Sequence, residues 1–126
     1  MRTNIIALSA ILLIAASCNT EESKVKNAAK DFIEQNVAGD KGDITFGNVD
    51  STRYITKERF QKMRANALTL PDFNGKISYT SNTPTYKLLY VPATYSITNK
   101  NGKQQKVKRI FYSDETGENI VAVIGN

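Results

Sequence analysis

Histidine and tryptophan are absent from this 126-residue sequence, and cysteine occurs once, as Cys18. Without histidine the chain lacks the commonest general base and the commonest transition-metal ligand. Ser/His/Asp and Cys/His nucleophilic arrangements are excluded with it. A single thiol allows no internal disulfide, so the fold rests on packing. No glycine-rich phosphate loop occurs; Asn101-Gly102 and Thr116-Gly117 read as turns. Asp114, Glu115 and Glu118 lie close together, but lack the alternating oxygen spacing of a calcium loop and read as a solvated turn. Every other acid falls on a helix face, in a turn or near the N-terminus, so no carboxylate pair is nominated for hydrolysis. No enzyme, cofactor or metal is expected.

What is present begins with an address. Met1-Arg2-Thr3-Asn4 carries one positive charge, Ile5 to Ile14 is an uncharged apolar run, and Ala15-Ala16-Ser17 are small. This is the layout of a secretory signal. The apolar run is too short for a spanning helix, which needs ~20 such residues. Ala15-Ala16-Ser17-Cys18 resembles the lipobox of bacterial lipoproteins, departing at Ala15, where a branched residue is usual; the looser lipoboxes of Bacteroidota tolerate this. The resemblance implies that Cys18 takes a diacylglyceryl group, that the chain is cut before it, and that the new amine is acylated. Two or more acyl chains hold a protein stably in a bilayer where one does not. Residues 1–17 are then the signal peptide, 18–22 a lipidated tether and 23–126 a folded domain in the cell envelope. Glu21 and Glu22 resemble the acidic export signal of surface lipoproteins; a plain solvated tether is the alternative.

Removing residues 1–17 of 126 leaves 109, enough for one modest core. The chain has 17 Lys+Arg against 12 Asp+Glu; without Arg2 the remainder carries 16 against 12, or +4. Such a surplus suits anionic envelope polymers or lipid head groups and is equally ordinary for solubility. No specific nucleic-acid partner is expected.

Along the chain, Val25, Ala28, Ala29, Phe32, Ile33 and Val37 recur at helical spacing, predicting an amphipathic helix from Ser23 to Val37, with Gly39 as its stop. Ile44 to Tyr54 reads as a short or irregular strand. Thr56 is placed as an N-cap, flanked by Ile55 and Phe60, for a second helix over 57–68 whose inner face is Phe60, Met63 and Ala67. Leu70 to Gly75 is a turn. Strands follow: Lys76–Thr80, Thr85–Thr98, Gln104–Tyr112 and Asn119–Ile124. In the second of these, Leu89, Val91, Ala93, Tyr95 and Ile97 share one face. Pro92 lacks an amide proton, so that strand lies at an edge or bulges there. Asn99-Lys100-Asn101-Gly102 makes a hairpin turn.

The expected architecture is α+β, an N-terminal helix packed on a curved antiparallel meander. This order, behind such a signal, resembles the cystatin-like-fold lipoproteins of Bacteroidota and the nuclear-transport-factor-2-like roll. The resemblance implies a fold and an envelope setting. Gln35-Asn36-Val37-Ala38-Gly39 is also similar to the Gln-x-Val-x-Gly loop with which cystatins block papain-like proteases, but here it continues the helix phase, and no tryptophan supplies the second cystatin loop.

The candidate binding residues are Lys100, Lys103, Lys106, Lys108 and Arg109, in a stretch with no acid from residue 73 to residue 113. Tyr86, Tyr90, Tyr95 and Tyr112 lie in the adjoining strands. Basic and aromatic side chains together can hold phosphate polymers or sugars; lysines also guard sheet edges. The expected function is a non-enzymatic binding module, lipid-anchored through Cys18, for an envelope protein or anionic polymer. A cystatin-type inhibitor, or a carboxylate enzyme in the concave face, is the alternative.

Overall fold

The computed structural model describes residues 20–79 and 87–125. Among these residues the chain is α+β: two helices and an open antiparallel sheet of five strands. Helix α1 is Thr20–Asn36, followed by β1 (Thr45–Phe46) and β2 (Asp50–Ser51), then α2 (Lys57–Ala67) and a 3-10 turn over Pro71–Phe73. Strands β3 (Leu89–Thr98), β4 (Gln104–Ser113) and β5 (Ile120–Gly125) complete the sheet. Its order is β1 and β2 beside β3, then β4, then β5.

α1 begins earlier than its apolar pattern predicts. Glu21 and Glu22, expected in a tether, form its first turn, where negative charge meets the positive end of the helix dipole. Its buried face is Val25, Ala29, Phe32, Ile33 and Val37, set against Val91, Ala93, Tyr95 and Ile97 of β3 and Val107 and Phe111 of β4. Burying an aliphatic or aromatic side chain of this size contributes about 1.5–3 kcal/mol. Phe32 is the hub, its ring 5.9 Å from Phe111, 6.1 Å from Phe73 and 5.6 Å from Tyr79. Asn36 closes the helix: its amide nitrogen donates to Phe32 O and its oxygen accepts from Ser78 N. Gly39 follows at φ 84°, the left-handed conformation its place requires.

α2 starts as its sequence predicts, with the Thr56 hydroxyl accepting from Arg59 N at 3.2 Å. Phe60 and Met63 pack with Leu88, Val121 and Ala122 in a second cluster, which Ile55 adjoins, while Ala67 reaches the main core. A bulge between Tyr112 and Ser113 makes this possible. Ser113 pairs with Ile120 and Tyr112 with Ala122, leaving Val121 extra. Ile120 and Val123 join the main core while the consecutive Val121 and Ala122 join the α2 cluster. Arg64 ties the helix to β5, donating from Nε to Val121 O at 2.8 Å, its guanidinium 4.6 Å from the Phe60 ring centre and 4.1 Å from that of Tyr79.

The strand expected over Ile44–Tyr54 is two short pieces with a break opposite Pro92. Phe46 pairs with Ala93 but Asp50 with Tyr90, so the register slips by one residue between them. Gly47 N donates to Pro92 O across the break. Pro92 therefore sits in an interior strand, and the irregularity falls on its neighbour. Lys76–Tyr79 form no strand, and the expected strand's last residue, Thr80, lies outside the described residues, as do Thr85 and Tyr86. β3 opens at Leu89, with its five expected inward residues on the core face.

Candidate functional site

The site begins in the turn joining β3 to β4. Asn99 N donates to Lys103 O and Gly102 N to Asn99 O, while Asn99 Oδ1 accepts from the amides of Asn101 and Lys103. Gly102 supplies the positive φ, at 78°, as in three-residue loops that close with a left-handed residue. Lys100 and Lys103 are exposed on this tip.

Beyond the tip the period of two decides each side chain's face. Lys106 and Lys108 are exposed and stand on the sheet face away from α1, opposite Ser96 and Thr94 of β3. Val107, Arg109 and Phe111 point the other way and are buried. Arg109 therefore leaves the basic surface expected of it. It is 7% exposed and paired with Asp72, itself 4% exposed. Arg109 Nη2 donates to Asp72 Oδ1 at 2.8 Å and Nε to Oδ2 at 2.9 Å; Nη1 donates to Lys108 O. The Tyr95 hydroxyl donates to Asp72 Oδ2 at 2.5 Å. Burial first, then the bond to Asp72 and that residue's charge, push the Tyr95 phenol far above the ordinary tyrosine value, against a smaller opposing effect of Arg109.

This triad locks the Pro71–Phe73 turn onto the sheet, and its polar groups are satisfied by one another. Sequence reasoning placed Asp72 in the Leu70–Gly75 turn and gave it no partner. The signal was available: Arg109 is in phase with Val107 and Phe111, and a cation on a core face demands a buried partner.

The aromatic complement also differs from expectation. Tyr95 is buried in the core, and Tyr86 lies outside the described residues. The Tyr90 and Tyr112 rings, 5.7 Å apart, sit at the other end of the hairpin. Tyr112 is four residues from Lys108, about 13 Å along the strand. No aromatic among the described residues interleaves with the lysines to form a stacking platform.

The β4–β5 turn is not simply solvated. Asp114 is buried and accepts from Thr116 Oγ1 at 2.6 Å and Asn119 Nδ2 at 2.8 Å. Burial acts to raise its carboxyl, but these bonds and those from the Asn119 and Glu118 backbone outweigh it and bring the group below the usual range. Glu115 and Glu118 are exposed, the latter 3.6 Å from Lys24. Among the described residues no three acids gather in a way that could hold a metal ion. A cleft of about 690 Å³ beside the end of α1 contains Glu34, Asp40 and Asp43, all exposed and mixed with Lys30 and Lys41. It is not the desolvated carboxylate pair that acid–base hydrolysis uses. Gln35 and Asn36 are the last residues of α1 and Val37 to Gly39 lead out of it, with Val37 in the core rather than on a projecting loop.

The two ends of the molecule differ. Gly117 packs against Lys24 and Val25, so the start of α1 lies by the β4–β5 turn. Gly39, past the end of α1, lies by Thr98, next to the lysine tip. A ten-residue β4 separates these ends by about 30 Å. Cys18 lies outside the described residues. No protein-family model matches the chain, and no curated protein or solved structure matches it significantly.

Proposed function

We propose that this chain is a lipid-anchored envelope protein, held through Cys18 and acting as a non-enzymatic binding module for an anionic envelope component. The observation that carries the binding half is the exposure of Lys100, Lys103, Lys106 and Lys108 at the end of the sheet remote from the start of α1. With Cys18 only two residues before Thr20, the bilayer would lie at the β4–β5 turn. The lysines would face away from it, toward partners rather than toward the head groups beneath. The signal-like residues 1–17 and the lipobox-like Ala15–Cys18 support the anchor. A helix lying across an antiparallel meander supports a cystatin-like fold.

The test is chemical cross-linking in intact cells followed by quantitative recovery of partners. Lys103, Lys106 and Lys108 changed together to Glu should lose the captured set. An unchanged set would remove the hairpin from the binding surface.

A further inference from the structure

The face of the β3–β4 hairpin turned away from α1 is laid out by the pairing of these two strands. Cross-strand partners share a face, so it carries Ser96 beside Lys106, Thr94 beside Lys108, Pro92 beside Ile110 and Tyr90 beside Tyr112. Lys106 and Lys108 are exposed and the rest are half-buried. Neither helix roofs these rows: α1 packs on the opposite face, and α2 packs over Leu88, Val121 and Ala122. A cross-strand aromatic pair can serve sheet stability alone, but this one has charged neighbours on both sides. Asp50 is the register partner of Tyr90 on β2 and is exposed. Its Oδ1 accepts from Ser51 N, and its Oδ2 has no partner among the described residues. On the other side, Arg59 is exposed in the first turn of α2, near enough for its charge to act on the Tyr112 phenol. Tyr90 belongs to neither core cluster; its ring meets that of Tyr112, 5.7 Å away.

We infer that this face binds an acidic polysaccharide, with one sugar ring stacked on Tyr90 and Tyr112 and its acid groups at Lys108 and Lys106. The inference rests on the anionic-partner reading above and names the polymer. The tyrosines and lysines do not interleave, but they stand in line on one face. Lys108 lies about 13 Å and Lys106 about 20 Å along the strand from Tyr112, so a ligand that reaches both ends is a chain. The Pro92–Ile110 row is the apolar floor between them, and Thr94 and Ser96 place hydroxyls beside the lysines. At the tyrosines, the C–H face of a sugar meets the negative face of an aromatic ring. Asp50 accepts from sugar hydroxyls and Arg59 donates to sugar oxygens, which suits a neutral ring there and acidic rings further on. The same Asp50 carboxylate repels phosphate, which disfavours a nucleic acid at the platform. An extended peptide gains no backbone ladder from the face of a sheet, where only side chains are offered.

The test uses the full chain in detergent and a short fluorescent oligosaccharide alternating glucuronate with N-acetylglucosamine, read by anisotropy. Comparators are its carboxyl methyl ester, oligothymidylate and polyglutamate. The acidic sugar should bind more tightly than all three. Tyr90→Val removes the stacked ring, keeps a strand former and should weaken sugar binding about three- to tenfold, the scale of one aromatic contact. Tyr90→Phe keeps the ring and should retain binding. Circular dichroism checks that each variant folds, and Tyr112→Val repeats the test should Tyr90→Val not fold. Lys106→Gln/Lys108→Gln should weaken the acidic sugar and leave the ester unchanged. Unchanged sugar binding by Tyr90→Val overturns the stacked ring; if the lysine variant still loses binding, the anionic reading stands. Tighter binding of oligothymidylate or polyglutamate than of the sugar overturns the polysaccharide in favour of that polymer. Equal binding of acid and ester, or no binding of any of the anions, defeats both readings.

Discussion

Asp72 and Arg109 are 37 residues apart in sequence and form a two-bond ion pair in the core. Removing one partner of such a pair strands a buried charge and costs about 3–5 kcal/mol. Asp72→Ala should therefore lower the unfolding free energy obtained from urea denaturation by that much, whereas replacing Asp72 and Arg109 together by apolar residues should cost clearly less than the sum of the single changes. Tyr95→Phe removes a hydrogen bond to a charged acceptor and should cost about 1.5–3 kcal/mol at neutral pH. The Tyr95 phenol is raised in the folded state. An acid so raised stabilises the fold below its unfolded value, about 10, and loses that stabilisation as pH climbs beyond it. Denaturation followed across alkaline pH should thus show falling stability in the parent and a shallower fall in Tyr95→Phe; equal slopes would detach the phenol from the effect. Asp114 has the opposite sign. Its lowered carboxyl stabilises the fold above about pH 4 and ceases to do so as pH drops below, so Asp114→Asn should flatten the acid limb. Of these residues only Tyr95 was legible as core. Asp72 sits beside Pro71 and before Asn74-Gly75, where a carboxylate ordinarily meets water, and only a long-range partner reveals otherwise.

Among the elements, those whose signal is local were readable. Helix α1 follows from its apolar spacing, α2 from Thr56 and its inner face, and the β3–β4 hairpin from Asn99 to Gly102. What escaped depends on neighbours. The slip between β1 and β2 is set by Pro92 across the sheet, and the burial of four consecutive residues from Ile120 follows from the bulge that turns Val121 and Ala122 toward α2. Lys76–Tyr79 carries strand-like alternation, yet its partners are the Asn36 side chain, the Phe32 ring and the Arg64 guanidinium rather than a strand. The junction between α1 and the β4–β5 turn offers a test at this scale. Gly117 has φ 77°, and a Cβ there would lie 3.1 Å from Val25 Cγ2. Gly117→Ala combines a strained backbone with overpacking and should destabilise by about 1–3 kcal/mol in thermal denaturation. An unchanged midpoint would mean that the turn can move off the helix without cost.

For the whole molecule, polarity is the organising property. The start of α1 and the β4–β5 turn make one end, and the lysine tip of the β3–β4 hairpin makes the other. From sequence the lysines were visible as a run, but not that Arg109 leaves it for the core or that Lys106 and Lys108 face away from α1. Those facts belong to register, which no local pattern encodes. The proposal that this polarity is aligned by a membrane depends on the lipid at Cys18. Metabolic labelling with a palmitate analogue, followed by membrane fractionation of the parent and Cys18→Ser, tests it most directly. The label should appear on the parent, vanish in Cys18→Ser, and the variant should leave the membrane for the soluble fraction. An unlabelled parent, or a Cys18→Ser chain that stays with the membrane after cleavage of residues 1–17, would contradict a lipid-anchored module.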